Sequence, residues 1–280
     1  MTCWAREGKD SLVISFGYLF IDEAKGPGGG IGRRAGFRCQ WPQGRGSSSL
    51  LLGTIFFVIV VEFWRAVQLT KKSVKEATID VHQGDIPSGV EFGDAIAIDT
   101  EAMGLNNHRD RLCVVQMSAG DGTAHLVKFD AGDDYSAPNL RALLADKSKT
   151  KIFHYARFDV AIIRKYLNVV CQPIYCTKIA SYLARTYTNG HGLKDLCREL
   201  LGIELSKAQQ SSDWGNGELS DEQIAYAASD VLYLHQVRAI LDNILKREGR
   251  MMYLEACLDF VPTRTALDLE GWADLDIFHH

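Results

Sequence analysis

The stretch Asp94-Ala-Ile-Ala-Ile-Asp99-Thr-Glu101 decides how the rest of the chain is read. It has the alternation of a short buried strand that ends in two carboxylates. Side chains alternate along a strand, so Asp99 and Glu101 share a face, with Ala95 and Ala97 beneath them. Two acids side by side at the end of an apolar strand repel each other and lose hydration. A divalent cation held by oxygen ligands is the usual compensation; two acids in a solvated loop are the plain alternative.

Working outward, the next acid of interest is Asp159 in His154-Tyr-Ala-Arg-Phe-Asp159. It follows a short strand over 150–153 and falls in the first turn of a helix predicted from Phe158 to Leu167. The helix dipole favours a negative charge there. The third feature is Tyr226-Ala-Ala-Ser-Asp230, whose spacing of four puts Tyr226 and Asp230 one turn apart on one helix face. Ala225, Ala227, Ala228 and Ser229 leave room for another element to approach closely. Taken singly, an Asp near a helix start serves as a cap, and a Tyr/Asp pair as a surface hydrogen bond.

The intervening pattern predicts a mixed sheet with helices packed on it. Thr78–Val81 reads as a short edge strand. Leu112–Ser118 and Thr123–Phe129 follow the strand of Asp99 through short turns, making a three-strand antiparallel meander. Helices are predicted at Pro138–Ala145, Thr177–Arg185 and Gly192–Leu201, with a last strand at Ile174–Cys176. Ser220, with Glu222 and Gln223 behind it, opens a long helix expected to run to about Lys246.

Hydrophobic content of 46% and charged content of 24% are those of a globular protein. The net charge of -4 is split unevenly: residues 1–72 carry 10 Lys and Arg against 5 acids, and the remainder 21 against 30. A body of net -9 is a poor match for long nucleic acid, and suits bound cations or a very short substrate. The seven cysteines show no C-x-x-C pair and sit largely in apolar runs, as core thiols of a cytoplasmic protein would. Residues 1–76 differ from the rest, with 11 of the 25 glycines falling in 1–72. The apolar run Leu50–Val61 is shorter than the ~20 residues of a spanning helix. This extension is expected to be sequence ahead of the true start or a disordered tail, with a membrane anchor as the remaining alternative. No stable membrane association is expected. Residues 77–280 are the expected working domain.

D-x-E on a strand, H-x-x-x-F-D at a strand-to-helix junction and Y-x-x-x-D on a late helix together resemble the three motifs of the DEDD exonucleases. The tyrosine marks the DEDDy branch, which includes ribonuclease D. Gly192-Leu-Lys-Asp-Leu196 and Gln210-Ser-Ser-Asp-Trp214 extend the likeness. The 34 residues after Lys246 are too few for the helical domains that follow in ribonuclease D. Leu105–Gln116, Cys176–Ser181 and Pro262–Trp272 look instead like the stand-alone nanoRNase C family. The resemblance implies a ribonuclease H-like α/β fold and 3'-5' hydrolysis of short RNA, most of all dinucleotides. It further implies a ring-shaped homo-oligomer, an octamer.

The same resemblance implies that Asp99, Glu101, Asp159 and Asp230 hold two divalent cations, Mg2+ or Mn2+. Hard oxygen ligands favour these over zinc. Tyr226 would orient the attacking water, since a phenol of pKa about 10 is a poor base at neutral pH. Leu105, His154 and Phe158 are candidate base contacts, and Arg109 and Lys194 candidate phosphate contacts. Two other functions compete: a broader exonuclease on longer RNA or DNA ends, and a catalytically silent nucleic-acid-binding scaffold.

Overall fold

Strand β4 (Ala95–Ala102) is placed by its two unequal faces. Ile96 and Ile98 point into one core and Ala97 into the other, all fully buried. The structure is a computed structural model that describes residues 4–8, 11–15, 77–206 and 208–279. The chain divides into two units, residues 1–72 and 73–280. Within the first, β1 (Trp4–Gly8) and β2 (Ser11–Ser15) pair as an antiparallel hairpin. The apolar run Leu50–Val61 lies outside the described residues, and no helix among those described is long and apolar enough to cross a membrane.

The second unit is built on a six-stranded mixed sheet in the order β3-β6-β5-β4-β7-β8. The meander runs from β4 through β5 (Leu112–Ser118) to β6 (Thr123–Lys128), each pair antiparallel. The edge strand β3 (Thr78–Gln83) pairs parallel with β6. After α1 (Pro138–Ala145), β7 (Thr150–Phe153) adds parallel to β4. Helix α2 (Ala156–Leu167) then crosses over to β8 (Ile174–Cys176), parallel to β7. This α/β arrangement is the one the sequence pattern predicts, meander included.

Both faces of the sheet are covered, which is why β5 is buried at every position. On one face Val115, Met117 and Phe153 meet Leu140 and Leu144 of α1 and Val160, Ile163 and Leu167 of α2. The other face carries Ala97, Val114, Leu126 and Ile152. It packs against α3 (Thr177–Ala184), α5 (Asp221–Leu232) and α6 (Leu234–Arg247). Between them lies α4 (Leu193–Leu196), continued by a π-helical turn over Cys197–Leu201 and stopped at Gly202, whose φ is 71°. Ala227 and Ala228 are buried on the face of α5 that meets Ala97, so small side chains bring that helix close to β4.

Four elements depart from expectation. Helix α2 begins two residues early, at Ala156, because Tyr155 takes a left-handed backbone conformation (φ 72°) that turns the chain straight from β7 into the helix. Gly192–Leu201, expected as one α-helix, is α-helical only over α4 before the π-type turn. The long helix expected after Ser220 is two helices, divided at Tyr233 (φ -107°, ψ -6°). Buried residues Val231, Leu234, Val237 and Leu241 keep one apolar period across that break, and no Gly or Pro marks it. The chain after Lys246 forms a further helix, α7 (Met251–Leu267), despite Pro262 within it. Leu254, Leu258, Val261 and Thr265 make its inward stripe, and α2 and α3 receive it. Of the cysteines, Cys113, Cys171, Cys176 and Cys197 are buried thiols, whereas Cys257 is exposed on α7. Cys3 and Cys39 lie outside the described residues.

The start of α5 is fixed by a capping box. Ser220 Oγ accepts from the Gln223 backbone N–H, and Gln223 Oε1 accepts from the Ser220 N–H. Gln223 also donates to Ser212 Oγ and the Asp213 carbonyl, tying the 203–219 loop to the same helix. Ser220→Ala is expected to lower stability by about 1 kcal/mol, the usual cost of losing such a cap. Urea denaturation measures it, and an unchanged midpoint would mean the cap contributes nothing.

Candidate active site

Three elements converge at the end of β4. Asp99 and Glu101 project from the same face of that strand, just before a register shift between Glu101 and Ala102 that ends its regular pairing with β5. Asp159 comes from the first turn of α2 and is 2% exposed. Thr100 Oγ1 donates to Asp159 Oδ1 at 2.7 Å, fixing α2 to β4. Tyr226 and Asp230 descend from α5. Oxygen atoms of Asp99, Glu101 and Asp230 lie within 4.8 Å of one another. All five residues line one cleft of about 650 Å3.

The electrostatics of this cluster are severe. Loss of hydration pushes Asp99 well above the ordinary carboxylate range, and the charges of Asp159, Asp230 and Glu101 push it further. Glu101 is raised to about 9 by burial and then by Asp230 and Asp159. Burial lifts Asp159 to about 7 against the opposing hydrogen bond from Thr100. It lifts Asp230 to about 7, partly offset by hydrogen bonding from Tyr226. The Tyr226 phenol itself is raised, first by burial and then by Asp230 and Glu101. It is therefore a hydrogen-bond donor at neutral pH and no base. Four acids that cannot ionise together fit a site completed by cations, and the all-oxygen donor set fits hard divalent ions.

Leu105, His154, Phe158 and Lys194 also line the cleft. Leu105 is 87% exposed, a large apolar side chain held in solvent at the wall. His154 Nδ1 lies 2.9 Å from Thr177 Oγ1, which donates its own proton to the Phe153 carbonyl. The His154 ring must then donate from Nδ1 and keep Nε2 as an acceptor. Burial, then Lys178, pushes its pKa down to about 3, so it is neutral. Arg109 does not line the cleft: its guanidinium is largely exposed and held by the adjacent Asp110 at 2.6 Å. Arg111 donates to the Phe129 and Gly215 carbonyls and anchors the 203–219 loop. At Gly215 an added Cβ would stand 2.2 Å from Met103 Sδ, so a side chain there would require Met103 to move.

The structure adds three residues that sequence reasoning missed. Lys178 lines the cleft, with its Nζ 4.2 Å from the centre of the Tyr155 ring. Tyr155, held in its left-handed conformation, carries that ring into the cleft wall. Nothing local in the sequence marks either: the tight turn from β7 into α2 brings Tyr155 there, and the direct passage from β8 into α3 brings Lys178. Gln116 lies directly across from Asp99 in the β4–β5 register, fully buried, and among the described residues neither of its amide atoms has a partner. A glutamine inside the apolar run Leu112–Met117 was its visible signal.

Comparison with known proteins agrees with this fold. The 3'-5' exonuclease family model matches residues 76–246. The structure of Brucella melitensis NrnC bound to pGG is 55% identical, with a TM-score of 0.70, and the match covers 73% of this chain and 99% of that one. NrnC of the same organism with bound Mg2+ is 54% identical, with a TM-score of 0.69 and 72% and 99% of the two chains covered. Ribonuclease D of Granulibacter bethesdensis is 34% identical over 164 residues, which are 57% of this chain and 40% of that protein. The chain spans about 40% of the length of the curated relatives it matches. Sequence, fold and site together place the chain in the 3'-5' exonuclease family, among proteins of the ribonuclease D and NrnC type.

Proposed function

We propose that this chain removes nucleotides from the 3' end of very short RNA, above all splitting dinucleotides, with two divalent cations in the acidic cleft. The observation that carries the reading is the meeting of four carboxylates and Tyr226 in one cleft. Asp99, Glu101, Asp159 and Asp230 would hold Mg2+ or Mn2+. When bound, two such ions would supply charge neutralisation at the attacking and leaving oxygens of a phosphodiester. Tyr226 stays protonated and gives its one O–H to Asp230, which leaves its oxygen to accept from the attacking water and orient it. Leu105 and Phe158 offer apolar surface to the bases. His154 Nε2 suits a hydroxyl or amino donor on the substrate rather than a phosphate. Lys178 and Lys194 are the cations placed to meet a 5'-phosphate.

Short substrates are supported by charge and by relationship. The 77–280 body is acidic, so affinity must come from the few groups touching the terminal nucleotides. A relative 55% identical holds pGG, a ligand of two nucleotides. We place the catalytic body at residues 77–280. We also propose a cytoplasmic homo-oligomer, a ring of eight, with exposed Met252, Tyr253, Trp272 and Phe278 at the subunit contacts. A broader exonuclease on longer RNA or DNA ends is the alternative.

Rates on 5'-labelled RNAs of two to ten nucleotides decide between the two enzyme readings. Dinucleotides are expected to be cleaved about ten-fold faster than ten-mers, equivalent to about 1.4 kcal/mol in the transition state. Asp99→Asn, as a control, should lose about a thousand-fold or more on both. Equal or faster processive degradation of ten-mers would sink the short-substrate reading and leave the broader exonuclease.

The acids also set a pH dependence. In the cation-free protein Asp159 and Asp230 keep protons until about pH 7 and Glu101 until about 9, whereas the unfolded chain releases them near pH 4. Folded-state pKa values above the unfolded ones mean that stability falls as pH rises through this window. Cations bind only the ionised forms, so their stabilising effect grows over the same range. Thermal melts with chelator should therefore decline from pH 5 to 9, and the gain on adding Mn2+ should widen. A gain independent of pH would contradict the carboxylate assignment.

A further inference from the structure

A second cluster of metal-ligating side chains stands at the edge of the sheet, away from the cleft. Asp80 and His82 are two residues apart on β3 and so project from one face. His125 on β6 is the direct cross-strand partner of Asp80. His82 Nε2 lies 3.2 Å from His125 Nδ1, and Asp80 Oδ2 lies 3.6 Å from the same nitrogen. His125 Nδ1 is thus approached by two ligand atoms at once, although one imidazole nitrogen makes a single hydrogen bond. The two rings are nearly parallel, at 21°, with centroids 5.4 Å apart. Two imidazole nitrogens bound at 2.0–2.1 Å to a tetrahedral ion stand about 3.3 Å apart, close to the observed spacing.

The surroundings suit an ion. The edge of the buried Phe92 ring packs against His125 and holds it in place. The His125 side chain is 13% exposed and Asp80 52%, so an ion would meet protein on one side and water on the other. Burial, then neighbouring His125, keeps His82 below its ordinary pKa, leaving its ring neutral near pH 7. Among the described residues only Asp99, Glu101 and Asp230 already bring three donors within 4.8 Å of one another. Asp80 must therefore swing its exposed carboxylate toward His82 to complete the second set.

We propose that His82, His125 and Asp80 form a second cation site, which takes a borderline ion such as Zn2+ or Ni2+ and clips β3 to β6. Imidazole ligands favour these ions over the Mg2+ or Mn2+ suited to the cleft. The two sites are separate, because β3 stands three strand positions from β4, roughly 14 Å across the sheet.

The test is calorimetric titration of the full chain, stripped with chelator, with Zn2+ in excess Mg2+. One equivalent is expected to bind and to raise the melting temperature. His82→Ala and His125→Ala should each weaken that binding about ten-fold or more, while exonuclease rates with Mg2+ stay unchanged. Asp99→Asn should leave the Zn2+ equivalent intact, which separates it from the cleft. His82→Gln keeps a hydrogen-bonding partner for His125 and serves if the alanine variant folds poorly. Absence of Zn2+ uptake by the wild-type chain, or equal uptake by the His82→Ala/His125→Ala double variant, would overturn the proposal.

Discussion

The structure around the cleft is governed by repulsion among four acids brought together with little water. Asp99, Glu101, Asp159 and Asp230 cannot all ionise in the protein alone, and each is driven above its ordinary pKa. Such a cluster would destabilise a fold that did not need it. It persists because three separately anchored elements hold it: β4 within the sheet, α2 tied by Thr100, and α5 fixed by its capping box. Rigid placement would give cations a shaped, oxygen-lined pocket, with protons on the acids to be displaced as they bind.

The rest of the second unit reads as support for that placement. Small residues on α5 and β4 let Tyr226 and Asp230 sit over the strand end, where larger side chains would hold the helix away. The C-terminal helix braces the other wall. Arg157, two residues before Asp159, donates to Asp268 at 2.7 and 2.8 Å, and Arg264 donates to the same carboxylate. Hydrogen bonds between charged partners of this kind, half-buried, contribute more than neutral ones. The end of the chain is thereby locked onto the helix that carries Asp159.

Much of this was legible in the sequence where the signal was local. Asp99 and Glu101 on one strand face, and Tyr226 and Asp230 one helical turn apart, follow from spacing inside a single element. The meander followed from its turns. What escaped depends on relations between elements. Tyr155 reaches the cleft because its left-handed backbone joins β7 to α2 within two residues, and Lys178 because α3 starts directly after β8. Arg109 looked free until Asp110, next to it, was seen to hold it. Helix α7 was masked by Pro262, although its stripe of Leu254, Leu258 and Val261 carries a helical period. The break at Tyr233 left no mark, because the buried face continues unbroken across it.

The central claim is that the four carboxylates form one paired-cation site. Counting Mn2+ bound to the metal-stripped chain by electron paramagnetic resonance, above the pH at which Asp159 and Asp230 ionise, tests it most directly. Two ions per chain, close enough to couple their spins, are predicted when a non-hydrolysable dinucleotide is present. A single uncoupled ion, or none, would contradict the account.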